Sequence, residues 1–344
     1  MSDGQKRILS GVQPSGKLHL GNYFGAVKQH IELQSEGLCF YFIADYHAMT
    51  TLLDVPEVKE KERMPGEVLR ENTLDVALTY LSLGLDPDKA VFFRQSDVPE
   101  VTELAWIFST VTNMGLLERA VSFKEKVDKG IESSVGLFTY PILMAADILI
   151  YRSHIVPVGK DQVQHLEMTQ DMAGKFNRAY CKEGEEIFPI PNYRLDKESK
   201  VPGTDGQKMS KSYGNTIELF AEGKALKKPV MSIVTDATPM GDPLNPETCN
   251  VFAIYGLFAS EEEKSQMAED FRTGATGYGN AKKKLLAKIE EYFAPARDKR
   301  KELLKDLDTV EDVLREGARK ARAEAQLTME MVRESVGMKR KPVV

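Results

Sequence analysis

Two short stretches hold residue types able to handle a triphosphate. Lys208-Met209-Ser210-Lys211-Ser212 sets two lysines among serines on a loop with Gly206 and Gly214 on either side. Pro14-Ser15-Gly16-Lys17-Leu18-His19-Leu20-Gly21-Asn22 sets a histidine and an asparagine beside glycines. When the α-phosphorus of ATP is attacked, pyrophosphate leaves, and cationic donors on a movable loop stabilise charge that develops only in the transition state. In the earlier stretch Pro14, Gly16 and Gly21 allow a tight turn. Gly21 leaves room for a nucleotide to approach the backbone, with His19 and Asn22 on either side. An exposed basic loop and a surface histidine are the ordinary readings of each stretch alone. Together they point to nucleotidyl transfer.

A third feature is Asp147, a carboxylate inside the apolar run Met144-Ala145-Ala146-Asp147-Ile148-Leu149-Ile150. Burying it is costly unless something donates a hydrogen bond to it. A structural cap or a hidden ion pair would serve, and so would a ligand N–H. Lys124 and Lys126 are further candidate phosphate ligands, with a charge cluster at a helix end as the even alternative.

These residues need a frame that brings them together. Ile8-Leu9-Ser10-Gly11-Val12 reads as a strand, the Pro14 to Asn22 stretch as a turn, and Ala26-Val27 with Ile31 and Leu33 as the helix that follows. Cys39-Phe40-Tyr41-Phe42-Ile43-Ala44 and Ala90-Val91-Phe92-Phe93 read as strands around a charged helical region over residues 57–83. Ile155-Val156-Pro157-Val158-Gly159 reads as another strand, with a helix from Asp161. Alternating strands and helices predict an α/β fold on a Rossmann-like parallel sheet with right-handed crossovers, with ligands collecting at the carboxyl ends of the strands. From about Thr216 the strand signals stop, and Ala281, Leu285, Ile289, Tyr292 and Phe293 recur at helical spacing. The expected organisation is a catalytic domain over residues 1–215 and an α-helical domain over residues 216–344. Residues 182–207 read as a long irregular connection of the kind that is often functional.

Composition sets the outer limits. The chain has 344 residues, 42% hydrophobic and 28% charged, which fits a globular chain of two domains and excludes disordered or fibrous classes. No apolar run reaches the roughly 18 residues of a membrane span and no signal-peptide core is present, so the expected location is cytoplasmic, without membrane contact. Cys39, Cys181 and Cys249 are scattered, without disulfide or metal-ligand spacing; no metal site is expected from protein ligands. The net charge of −6 disfavours a general nucleic-acid coat. Basic clusters at Arg297-Asp298-Lys299-Arg300-Lys301, Arg319-Lys320-Ala321-Arg322 and Lys339-Arg340-Lys341 still allow local contact with a polyanion.

With both phosphate motifs in place the chain resembles class I aminoacyl-tRNA synthetases, and within them the bacterial-type tryptophanyl-tRNA synthetase family. Ser10 to Gly16 with His19-Leu20-Gly21-Asn22-Tyr23 is similar to that family's form of the first signature, and Lys208 to Ser212 to the second. Asp45-Tyr46-His47-Ala48, the stretch from Tyr140 to Leu149, and Pro157-Val158-Gly159-Lys160-Asp161-Gln162 agree as well, over about residues 8–337. The resemblance implies a ligase that activates L-tryptophan with ATP and Mg²⁺ and passes it to tRNA(Trp), acting as a homodimer with the helical domain meeting the anticodon. It implies that Asp147 takes the indole N–H, that Leu9, His47, Met144, Val156 and Val158 surround the ring, and that Tyr140 and Gln162 hold the α-ammonium. Gln13, Ser15, Gly16, His19, Gly21, Asn22, Gly159, Asp161, Lys208, Met209, Ser210, Lys211 and Ser212 are implied for ATP, with Lys208, Lys211, His19 and Asn22 closest to the chemistry. The sequence departs at Leu9, where a phenylalanine is expected, at Lys160, where an acidic residue is usual, and over residues 182–207. A tyrosyl-type enzyme is the nearest alternative, but it needs partners for a phenol. An adenylate-forming enzyme without tRNA would have no use for a basic helical domain.

Overall fold

The computed structural model describes residues 6–128, 130, 133–195 and 201–338, with the backbone alone for 122 and 125–127. Five strands, β1 (Arg7–Val12), β2 (Leu38–Ile43), β3 (Ala90–Arg94), β4 (Ile155–Val158) and β5 (Asn192–Leu195), form one parallel sheet in the order β3-β2-β1-β4-β5. β2 is buried along almost its whole length, as expected of a parallel strand covered on both faces. The chain winds outward from β1 through β2 to β3, then returns to the other side of β1 through β4. β1 and β4 therefore flank a topological switch point, where ligands of such sheets bind.

The main helices are α1 (Lys28–Leu33), α2 (Asp45–Leu52), α3 (Pro65–Ser82), α4 (Glu100–Val111), α5 (Val135–Ile150), α6 (Val163–Tyr180), α7 (Tyr278–Leu303) and α8 (Leu307–Ser335). The charged region 57–83 divides into a turn at Pro56–Lys59 and α3, because Pro65 starts α3 at a position where its missing N–H costs nothing. The stretch 182–207, read from sequence as irregular, contains β5. All four β5 residues are exposed, so no apolar pattern announced the strand, which is held by its backbone pairing with β4.

α7 buries Ala281, Leu285, Ile289 and Phe293 on one face, as the spacing predicts, while Tyr292 turns outward to meet the Tyr23 hydroxyl at 2.8 Å. α8 returns to the sheet. Gly317 lies so close to the β3 backbone that a Cβ there would collide with the Phe92 carbonyl. Ala318, Ala321, Ala325, Met329 and Val332 share a core with Leu9, Phe40 and Val156. Arg94–Glu311 at 2.9 Å, Arg322–Glu100 at 2.8 Å and Arg7–Glu324 at 2.9 Å tie the helix down. α8 thereby covers the open edge of β3. Among the described residues every strand precedes residue 216, yet the packing runs across that point.

Of the basic clusters, Arg297 is buried and donates to the Glu290 carbonyl, and Arg300 pairs with Asp75. Arg319 and Arg322 pair with Glu316 and Glu100, and residues 339–341 lie outside the described residues. The three cysteines are free thiols. Among the described residues no helix is long and apolar enough to cross a membrane.

Candidate active site

A cavity of about 430 Å³ opens at the ends of β1 and β4. Its lining brings together ten residues singled out from sequence: Leu9, Gln13, His47, Tyr140, Met144, Asp147, Val156, Val158, Gly159 and Gln162. They come from β1 and the residue after it, α2, α5, β4 and the turn after β4, which only the fold makes neighbours. Phe42 backs the cavity against Gly11, whose missing side chain leaves space for the ring; a Cβ there would stand 2.8 Å from Phe42 Cε1. The walls are mainly apolar, with polar groups at a few fixed points, as in most small-molecule sites.

Asp147 is 3% exposed, on the inner face of α5. Burial pushes its carboxyl above the usual carboxylate range, and hydrogen bonds from His47 and Gln95 oppose that shift. His47 Nε2 lies 2.9 Å from Oδ2, and Gln95 Nε2 donates to both oxygens at 2.9 and 2.8 Å. The Gln95 amide is itself oriented, because its Oε1 accepts from the Tyr46 backbone N–H at 3.1 Å. Asp45 accepts from the Ser96 N–H at 3.0 Å and from the Ser96 hydroxyl, fixing the chain at the end of β3. Sequence reasoning missed Gln95. It stands directly after β3, at a strand's carboxyl end, and that position was the signal available.

The stretches 14–22 and 208–212, singled out from sequence, meet one another. Leu20 N–H donates to the Ile217 carbonyl at 3.0 Å and Leu219 N–H to the Leu18 carbonyl at 3.1 Å, so the chain leaving the lysine loop is paired with the first turn. Lys211 Nζ donates to the Ser15 carbonyl at 2.9 Å and lies beside Gly16, which has φ +96° and a shape that L side chains rarely adopt. Crowding by protein lowers the Lys211 pKa to about 8 although the side chain keeps access to solvent. His19 is buried, and desolvation together with the Lys211 charge lowers its pKa to about 4, so it is neutral at physiological pH. Its Nδ1 has no hydrogen-bond partner among the described residues. A buried polar atom in that state asks for a ligand or solvent.

The structure alters the reason for Gly21. A Cβ there would meet the His19 ring at 3.0 Å and Met209 Cβ at 3.2 Å, so the space Gly21 leaves is filled by protein rather than kept open. Asn22 caps the turn, accepting from the His19 N–H at 3.1 Å. The next residues form a π-helical turn, Tyr23–Val27, a distortion often found at functional sites. Asn215, also missed from sequence, organises the lysine loop. Its side chain accepts from the Ser210 N–H at 2.8 Å and donates to Asp205 at 2.7 Å and to the Lys208 carbonyl at 3.1 Å.

Several expected residues lie outside the cavity. Lys208 and Ser212 are exposed, Met209 is buried as an anchor under the loop, and Ser210 and Ser212 line a separate groove facing Thr51 and Asp54. Asp161 folds back beside Gly159 and accepts from the Gln162 amide at 2.8 Å. The Tyr140 hydroxyl lies 2.6 Å from His165 Nε2. Lys124 is exposed on a short helix, and the Lys126 side chain lies outside the described residues.

Comparison with known proteins bears on this site. Residues 1–294 match the family model described as tRNA synthetases class I (W and Y). A tryptophan–tRNA ligase of Fusobacterium nucleatum is 54% identical over 97% of this chain and 98% of its own length. One of Rhodopirellula baltica is also 54% identical, over 97% of this chain and all of its own. The crystal structure of the tryptophanyl-tRNA synthetase of Campylobacter jejuni, complexed with ADP and tryptophan, superimposes with a TM-score of 0.88 at 48% identity, covering 96% of this chain and 99% of that one.

Proposed function

Since this chain belongs to the class I tRNA synthetases of the tryptophan and tyrosine branch, we propose that it is the tryptophan enzyme: it joins L-tryptophan to ATP and passes the activated amino acid to tRNA(Trp). The observation that carries the choice of substrate is the buried Asp147 carboxylate on an otherwise apolar stretch of the cavity. An indole offers one N–H on an apolar body and matches it. Hydrogen bonds from Gln95 and His47 oppose the effect of burial on that carboxylate and aim it. Relatives at 54% identity named tryptophan–tRNA ligase support the same choice over tyrosine.

In the first step a tryptophan carboxylate oxygen bonds to the α-phosphorus of ATP, the bond to the bridging oxygen breaks, and pyrophosphate leaves with the electron pair. Alignment and electrostatic stabilisation carry the rate. Lys211, held over Gly16 and Ser15, neutralises charge building on the leaving phosphates, with Lys208 and Ser210 on the same loop. Neutral His19 donates or accepts without adding charge. Tyr140 and Gln162 face the α-ammonium from the cavity wall. Mg²⁺ enters with the substrate in this reading, on the ATP phosphates. In the second step the terminal ribose hydroxyl of tRNA attacks the carbonyl and releases AMP.

Residues 1–215 supply the catalytic part and residues 216–344 the anticodon contact in this reading. Exposed Met49, Leu53 and Met64 around one groove support a homodimer. A cytoplasmic enzyme is the fitting location for charging tRNA. ATP–pyrophosphate exchange with tryptophan and with tyrosine in parallel tests the reading. Exchange with tryptophan alone is expected; exchange with tyrosine alone overturns the substrate, and exchange with neither overturns the activity.

A further inference from the structure

A second hydrogen-bonded chain reaches the cavity from the opposite face of the sheet. Leu9 and Asp147 lie on one side of β1; Ser10, Ala26 and His30 line the cavity on the other. Ser10 Oγ is 2.9 Å from His30 Nε2, and His30 Nδ1 is 3.0 Å from the Tyr80 hydroxyl. The ring is stacked on Tyr41, whose hydroxyl donates to the His30 carbonyl at 2.7 Å. All four residues are buried. A phenylalanine would fill such a place without needing two polar partners, so a histidine with both nitrogens occupied invites a reason beyond packing.

The direction of the protons follows from satisfying each group. Burial lowers the His30 pKa to about 4, so the ring is neutral and carries one N–H. Burial also holds the Tyr80 phenol protonated, and His30 is the hydrogen-bond partner that hydroxyl has among the described residues. If Nδ1 carried the proton, the phenolic hydrogen would be left in the core without an acceptor, at the cost of desolvating it. Tyr80 therefore donates to Nδ1, Nε2 carries the ring proton and donates to Ser10 Oγ, and the Ser10 hydrogen is turned away from His30. The open volume next to Ser10 is the cavity.

We propose that Ser10 donates a hydrogen bond into the cavity, to an anionic oxygen of the substrates at the reacting centre, and that His30 and Tyr80 are positioning residues that make it a donor. The inference rests on the adenylating activity proposed above. The acceptor is a tryptophan carboxylate oxygen or an α-phosphate oxygen of ATP, both of which share the chemistry of an anionic oxygen.

The test uses the full chain in ATP–pyrophosphate exchange, with Ser10→Ala, His30→Phe, His30→Gln and the Ser10→Ala/His30→Phe double variant. Equilibrium dialysis of tryptophan without ATP and thermal unfolding accompany it. Loss of a hydrogen bond to an ionised group predicts a fall of about ten- to a hundredfold in kcat/KM for Ser10→Ala. His30→Phe should fall about as far, and the double variant little further, since both remove one interaction. His30→Gln should recover most of the rate, because its amide sets an N–H near the place of Nε2. Weaker tryptophan binding without ATP identifies the carboxylate; unchanged binding with a lower kcat or a higher KM for ATP identifies the phosphate. Variants that unfold at lower temperature yet keep the wild-type kcat/KM overturn the proposal, as does a loss in Ser10→Ala that His30→Phe does not share. Absence of tryptophan-dependent exchange in the unaltered protein would instead refute the activity itself.

Discussion

Replacing Asp147 by asparagine keeps the shape of the side chain and changes one oxygen from acceptor to donor. In the protein that carboxylate receives Gln95 Nε2 at 2.9 and 2.8 Å and His47 Nε2 at 2.9 Å. The Tyr46 N–H fixes the Gln95 carbonyl and so prevents the amide from turning over to accept. Because Gln95 Nε2 reaches both oxygen positions, either orientation of the asparagine sets its NH₂ against the Gln95 NH₂. Either way one hydrogen bond to an ionised acceptor is lost, about 1.5–3 kcal/mol, and one buried donor is left unpaired, about 1–3 kcal/mol. The sum of roughly 2.5–6 kcal/mol corresponds to a fall of about 10²- to 10⁴-fold in kcat/KM for tryptophan. The assay is ATP–pyrophosphate exchange with tryptophan and with its benzothienyl analogue, in which sulfur replaces the indole N–H. The unaltered protein should reject the analogue strongly, since a buried acceptor built for a donor is left empty. Asp147→Asn should lose most of its rate on tryptophan and little of its rate on the analogue. Equal losses on both, with unchanged thermal unfolding, would refute the assignment and make Asp147 part of the packing between α2 and α5.

Lys211→Ala should lower the exchange kcat by about 10²–10³, the loss typical of one transition-state donor, with KM for tryptophan nearly unchanged; equal effects on both would refute its role. The active form of Lys211 is the protonated one, so with its pKa lowered to about 8 the kcat/KM for ATP should hold below that pH and decline as pH rises through it. Lys211→Arg, charged throughout, should lose that decline. Gly11→Ala would push the Phe42 ring into the cavity from a contact at 2.8 Å, and a severalfold rise in KM for tryptophan, measured beside an unchanged KM for ATP, is expected. Gly317→Ala would set a methyl group on the Phe92 carbonyl and should destabilise the protein by about 1–3 kcal/mol, read from urea unfolding; an unchanged midpoint would mean that α8 shifts freely along the edge of β3.

How far sequence led depends on whether a residue's role is local. Strands β1 to β4 carried apolar runs, and Lys208 to Ser212 carried a pattern of charges, so both were legible. β5 was not, because four exposed residues held by backbone pairing leave no trace in side-chain chemistry. Gly21 shows a related limit: a glycine in a turn shows that space is needed, not what stands there, and here the His19 ring and, from far along the chain, Met209 lie against the place of its Cβ. Gln95 and Asn215 illustrate the same limit at the site. Each is a neutral amide with no motif of its own, and each acquires its role from donors and acceptors on segments distant in sequence. Charged groups announce themselves because their burial needs explanation; the amides that make the burial tolerable do not. A carboxylate such as Asp147 inside an apolar run therefore predicts that unrecognised donors lie nearby, and the carboxyl ends of neighbouring parallel strands are where to look for them.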